Sequence, residues 1–229
     1  MQVKNSVYSG LYSNSQILCK FDEILKSIKM KKGCLIWIII GAFIALVLLG
    51  IFSWGSKAYN GMVTKEELVK SQWGNVQTQY QRRADLIPNF VNTVKGAANF
   101  EQSTLTQVIE ARAKATQITI DPTKMTAENL KQFQTAQTEL GSALSRLMAV
   151  VERYPELKAT QNYRDLQVAL EGSENRIATE RRKFNEVAQD FNVYIKRFPN
   201  NMLAGMFGFT ARPYFESAEG AEKAPQVQF

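Results

Sequence analysis

The chain contains no histidine among its 229 residues, and its two cysteines are Cys19 and Cys34. Losing histidine removes the commonest general base, the commonest metal ligand, and the Ser-His and Cys-His nucleophile pairs. Both cysteines fall before or within a long apolar run, so everything after it lacks a disulfide, a thiol nucleophile and a cysteine zinc site. No glycine-rich phosphate loop, serine-centred elbow or zinc-ligand spacing is present. No stretch alternates with period two for long enough to make a strand. The search for enzyme chemistry ends empty, and the expectation is a protein that is not an enzyme and takes no cofactor.

What the sequence has instead is the run Cys34 to Trp54, CLIWIIIGAFIALVLLGIFSW, without a single charge. A helix needs about 20 apolar residues to cross roughly 30 Å of hydrocarbon, and this run supplies them. It shows no polar face, unlike the buried helix of a soluble core. Lys31 and Lys32 precede it, and Trp54, Lys57 and Tyr59 stand at its end, which suits a charged and aromatic interface. Ser56-Lys57-Ala58 loosely resembles a signal-peptidase site, but a cleavable apolar region is about 7–15 residues, so an uncleaved signal anchor is the better reading. Cys34 lies at the start of the run, where a lipoprotein cysteine would stand at its end.

The net charge is +7, and its location matters. Seven of the 28 Lys and Arg, and two of the 21 Asp and Glu, lie in residues 1–57, leaving 21 basic against 19 acidic side chains beyond. The excess sits beside the apolar run and the rest is nearly neutral, which disfavours nucleic-acid binding. Lysines are denser before the run than after it, so the positive-inside rule places the N-terminus in the cytoplasm and the following domain outside. The expected location is the bacterial inner membrane, single-pass, with the bundle on the periplasmic side.

Residues 1–29 show no periodicity and read as a disordered tail or upstream extension, with Met30-Lys31-Lys32 as the anchor's own start and residues 30–57 as the anchor with its flanks. After the run, Tyr59, Met62, Val69, Trp73, Val76, Tyr80, Ile87 and Val94 recur at steps of three and four or their sums, one face of a helix. The membrane helix is therefore expected to continue as a stiff stalk. Glu66 interrupts the stripe, and Pro88 is expected to kink or restart the helix, since it lacks the N–H and clashes with the preceding turn. A second segment from Glu101 to about Thr116 carries Leu105, Val108, Ile109 and Ala113 on a face. Thr126 reads as the N-cap of a helix to about Arg153, with Leu130, Phe133, Gln137, Leu140, Leu144, Leu147, Val151 and Tyr154 as its stripe and Pro155 as its end. Thr160 opens the last long helix, which Pro199 is expected to terminate. There Tyr163, Leu170, Ile177, Phe184, Phe191 and Phe198 are spaced by heptads, Leu166, Val187 and Tyr194 hold companion positions, and Ser173 and Glu180 are polar exceptions. The prediction is all-α: an N-terminal transmembrane helix continuing into an antiparallel bundle of three to four long helices over residues 58–199. Residues 200–229 form an apolar tail that either packs on the bundle end or contacts lipid or a partner.

Gln81-Arg82-Arg83-Ala84-Asp85-Leu86-Ile87-Pro88-Asn89 with Val94-Lys95-Gly96 resembles the signature of the LemA family. Glu174-Asn175-Arg176-Ile177 with Arg181 and Phe184-Asn185, Glu152-Arg153-Tyr154-Pro155, and Phe198-Pro199 fit the same family, over about Met30 to Phe229. The resemblance implies a single-span bacterial membrane protein with a helical-bundle domain and no established enzymatic activity.

Three constellations carry alternatives. Arg82, Arg83 and Asp85 beside Pro88 could form a ligand site; more economically they pair with Glu174, Asn175, Arg176 or Glu180 in a polar layer that sets helix register. Glu101, Glu110, Glu152, Glu171 and Glu174 evoke a di-metal carboxylate centre, which ordinarily needs Glu-x-x-His pairs, so no metal is expected. Asn follows an aromatic at Tyr59-Asn60, Phe184-Asn185 and Phe191-Asn192, and Asn185 and Asn192 lie one heptad apart. They read either as a ladder bonding to a neighbouring helix or protomer, or as solvated Asn beside core aromatics. The functional expectation is a membrane-anchored scaffold or adaptor in the lipid bilayer, with a protein partner or self-association. The alternatives are an accessory or signal-transmitting subunit of an envelope protease or sensor system, and an enzyme with a site near Arg82 and Asp85.

Overall fold

The structure is a computed structural model that describes residues 32–96 and 101–216. Residues 1–29, expected to be a disordered tail or upstream extension, and the end of the apolar tail lie outside these residues. Among the described residues six helices follow one another: α1 (Lys32–Lys95), α2 (Gln102–Gln117), α3 (Ala127–Val151), the single turn α4 (Pro155–Lys158), α5 (Gln161–Lys196) and α6 (Asn200–Phe207), with a 3₁₀ turn at Pro122–Lys124. Among the described residues there is no strand. The chain divides into two units, Met1–Gly55 and Ser56–Phe229, and the boundary falls inside α1, which runs without interruption.

In the first unit every large apolar side chain from Ile36 to Trp54 is exposed, Trp37 at 75% and Phe52 at 74% among them. An unbroken apolar surface of this kind is not maintained in water. Among the described residues one helix is long and apolar enough to cross a membrane.

The second unit is an up-down-up-down bundle, and its contacts give the direction of each helix. Going up α1, Lys65 meets Asp190 (3.9 Å), Trp73 meets Phe184 and Phe90 meets Tyr163, so α5 runs antiparallel to it. Trp73 and Tyr80 meet Phe133, and Arg83 meets Gln137, so α3 runs parallel to α1. Gln137 reaches Ala115 and Arg153 reaches Glu101, which sets α2 antiparallel to α3. The predicted stripes are the buried faces: Met62 to Val94 on α1, Leu130 to Val151 on α3, and Tyr163 to Phe191 on α5. Thr126 caps α3 in a capping box with Asn129, and Thr160 caps α5 by accepting from Tyr163 N–H.

Four expectations are corrected. On α2 the buried face is Thr104, Leu105, Val108 and Ala115, and Ile109 points to solvent. Pro155 does not simply end α3; it opens the turn α4 at its first position, where its missing N–H costs nothing. The α5 heptad stops before Phe198, which is 82% exposed beyond the helix end at Lys196. Pro88 does not restart α1, which continues through it to Lys95. The reason is a distant donor. Proline at 88 leaves the Ala84 carbonyl without its helical partner, and Arg112 of α2 donates to that carbonyl through Nε at 2.7 Å. Arg112→Met should therefore cost about 1–3 kcal/mol by orphaning a part-buried carbonyl. In a Pro88→Ala background, where residue 88 regains its N–H, the same change should be nearly neutral. Thermal unfolding of the four chains of this cycle checks it; equal costs in both backgrounds would contradict it.

The described tail packs on the bundle. α6 ends at Gly208, whose φ of 77° is the left-handed conformation glycine adopts freely, and Phe209 N–H returns to the Ala204 carbonyl at 2.9 Å. Residues 209–216 then run extended along the bundle as a strap, burying Phe215 against Trp73 (6.0 Å, stacked) and Phe184 (5.4 Å, edge-on).

Candidate functional site

The bundle core falls into two apolar clusters, one around Trp73, Phe133, Phe184 and Phe191, the other around Ile87, Phe90, Leu140, Leu147 and Tyr163. Polar residues divide them at the same level on three helices: Arg83 on α1, Gln137 on α3, and Ser173 with Glu174 on α5. Arg83 is 3% exposed and is the hub. It donates through Nη1 to the Glu174 carboxylate and through Nη2 to the Gln137 side-chain oxygen and, at 3.4 Å, to the Gln137 carbonyl. Gln137 passes the connection on by donating through Nε2 to the Ala115 carbonyl of α2 at 3.2 Å. All four long helices are thus tied through one guanidinium, whose flat fork suits several acceptors at once. The Tyr80 ring lies 5.2 Å from the Arg83 carbon Cζ, and burial pushes its phenol up from the ordinary tyrosine value.

Of the residues singled out from sequence, Arg83 and Glu174 meet. Arg82 and Asp85 stand exposed on the outer face of α1, where Asp85 accepts from Gln81 at 2.7 Å. Asn175 and Arg176 are likewise exposed. Glu180 lies farther along α5, accepting from Gln72 of α1 at 2.6 Å and from Lys183 at 2.9 Å. The hydrogen bonds from Lys183 and Gln72 hold its carboxyl below the usual value. Asn185 and Asn192 bond to the strap and not to a neighbouring helix. Each pairs in both directions with the strap: Asn185 donates to the Phe215 carbonyl and accepts from Phe215 N–H (2.9 and 2.8 Å), and Asn192 does the same with Arg212 (2.8 Å each). Seven helical residues rise about 10.5 Å, close to the reach of the three residues from Arg212 to Phe215, so the heptad spacing of the two Asn fits the strap.

Two participants escaped the sequence reading. Gln137 sat in the α3 stripe and was not recognised as a node. Arg212 is buried, its side chain 5% exposed; it pairs with the Glu66 carboxylate and donates to the Thr123 carbonyl at 3.2 Å. The signal was there in Glu66, because an acid inside an apolar stripe calls for a buried cation.

An open groove of about 900 Å³ lies between α3 and α5 and spans the level of the polar layer. Arg83 and Glu174 form its floor, and Ser142, Ser145, Arg146, Glu171 and Arg181 line its walls. Both signs of charge, hydroxyls and amides face it. Among the described residues no three His, Cys, Asp or Glu side chains converge to hold a metal ion.

Comparison with known proteins agrees with this architecture. The chain is 30% identical over 192 residues to magnetosome protein MamQ 2 of Paramagnetospirillum magneticum, covering 76% of this chain and 68% of that one. It is 30% identical over 189 residues to magnetosome protein MamQ of Magnetospirillum gryphiswaldense, covering 74% and 70%. It is 24% identical over 160 residues to protein LemA of Metamycoplasma hominis, covering 70% and 69%. Residues 72–229, which include the Arg83 layer and the strap, match the LemA family. The chain is a member of the LemA family.

Proposed function

We propose that this protein is a non-enzymatic scaffold or adaptor, anchored in the bacterial inner membrane by Cys34–Trp54, with its bundle on the outer side. The observation that carries this reading is the division of labour among its polar groups. The buried ones, Arg83, Gln137, Arg212 and Asn192, are spent on other parts of the same chain. The exposed ones, Ser142, Ser145, Arg146 and Glu171, line an open groove. A rigid bundle with a polar flank holds a partner without transforming it. Tethering to the membrane confines it to a thin layer, so weak contacts at the groove gain from high local concentration. The relatives named as magnetosome proteins support a role at a membrane-bounded structure.

A second reading is favoured by the continuity of α1 from Lys32 to Lys95. A helix shared by the apolar run and the bundle core suits an accessory or signal-transmitting subunit of an envelope protease or sensor system. The test of the first reading is the mass of the complex lifted from native membranes in polymer discs, with a photo-cross-linker at Ser145 to report what occupies the groove. A discrete assembly cross-linked at Ser145 is the expected result; a lone chain with no adduct would contradict it.

A further inference from the structure

α6 opens on Asn200 and Asn201 and carries no polar side chain from Met202 to Phe207. Ala204 and Leu203 face the bundle core, and Phe207 meets the Tyr59 ring at 4.9 Å. Its outer surface should be polar by the ordinary logic of a surface helix. Instead Met202 is 63% exposed, Met206 78% and Phe207 55%, and Phe198 just before the helix is 82% exposed. Met202 and Met206 are four apart, hence stacked on one helix face, and Phe198 lies just before the helix. Four large apolar side chains gathered at one end of a domain exceed the scattered exposure normal for a soluble surface.

The charge around this patch has one sign. No acidic residue occurs between Asp190 and Glu216, while Lys196 and Arg197 flank Phe198 and are exposed, as is Lys57. Position completes the argument. The patch touches Tyr59, and Tyr59 follows the end of the apolar run so closely that no more than about 18 Å of fully extended chain separates it from Trp54. Whatever angle the bundle takes, the patch stays within reach of the headgroup layer next to the span.

We propose that Phe198, Met202, Met206 and Phe207 form a second, interfacial membrane contact, seated in the headgroup–acyl boundary of the leaflet beside the bundle, with Lys57, Lys196 and Arg197 against anionic lipid headgroups. Apolar side chains on a short helix with basic neighbours are the composition of an interfacial anchor, and each basic residue near an anionic surface strengthens the attraction. The contact rests on the reading of Cys34–Trp54 as a span but not on the scaffold role.

The test uses the full chain with Cys19→Ser and Cys34→Ser, reconstituted into vesicles of phosphatidylcholine with or without phosphatidylglycerol. A polarity-sensitive fluorophore is placed at Met206→Cys, or at Glu139→Cys on the exposed face of α3 as control. The expected result is blue-shifted emission at position 206 and several-fold stronger quenching by lipids brominated near the headgroup than at position 139. Lys196→Glu with Arg197→Glu should reduce that quenching in phosphatidylglycerol vesicles and leave it unchanged in pure phosphatidylcholine. Equal, water-like emission at both positions would overturn the proposal. So would quenching that follows protein density rather than lipid, which would assign the patch to a second copy of the chain. Release of the chain by alkaline carbonate would overturn the span itself, a result separate from either.

Discussion

Glu174→Ala lowers the melting temperature of the full chain in mild detergent by about 6–12 °C, and it does more damage than Arg83→Met. The asymmetry follows from burial. The Arg83 side chain is 3% exposed and that of Glu174 is 50% exposed. Without Glu174 a buried guanidinium, which cannot shed its proton, is left with only the amide and carbonyl of Gln137. Breaking a buried pair in this way costs about 3–5 kcal/mol, and access of water from the groove puts this case near 3. At about 2–4 °C per kcal/mol for a chain of this size, that is the stated shift. Removing Arg83 instead frees a carboxylate that turns into the groove and is hydrated, leaving chiefly the Gln137 oxygen unpaired. Arg83→Met with Glu174→Leu should recover much of the loss, since an apolar pair fills the layer without a stranded charge. Helical circular dichroism through a double-mutant cycle measures all three. A shift under about 2 °C for Glu174→Ala would mean that the contact is worth no more than a surface ion pair.

Phe215→Ala is the second large effect, about 3–5 kcal/mol, the range for emptying a buried aromatic site. Phe215 closes the Trp73 cluster, and Arg181 lies over its outer face at 4.7 Å. Its loss leaves a cavity beside a fully buried tryptophan and weakens the strap at the point where Asn185 holds it. Beyond the drop in melting temperature, chymotrypsin should cut at Phe209 or Tyr214 far faster than in the parent chain. If only stability fell and cleavage did not rise, the strap would be held by Arg212 and Asn192 without help from the ring.

These two sites also mark how far the sequence could be read. The helices were legible because their stripes obey the helical period over many turns: Met62 to Val94, Leu130 to Val151 and Tyr163 to Phe191 all proved to be core. The capping threonines were legible because a cap is a local event. The strap was not, since an extended segment with Gly208 and Pro213 beside it carries no period, and its partners are Asn185 and Asn192 on a helix that precedes it. The two Asn were conspicuous, but nothing local says what a side-chain amide will pair with. Pro88 failed for the same reason. Its local effect was read correctly, and the compensating donor, Arg112, sits on another helix. The polar layer was half legible: Arg83 and Glu174 were named, whereas Arg82, Asp85, Asn175 and Arg176 share their stretch of sequence but face outward. A shift of one residue on a helix turns a side chain by about 100°, enough to separate hub from surface.

The central claim is that the groove between α3 and α5 holds a protein partner beside the membrane. Its most direct test is the mass of the complex extracted in polymer discs from native membranes, for the parent chain and for one with Ser145→Trp and Arg146→Glu. Both positions are exposed groove residues outside the Arg83 network. The account predicts a defined assembly for the parent and a bare, fully folded chain for the variant. Equal masses for the two would remove the groove from the function, and a parent that runs as a single chain would contradict the scaffold itself.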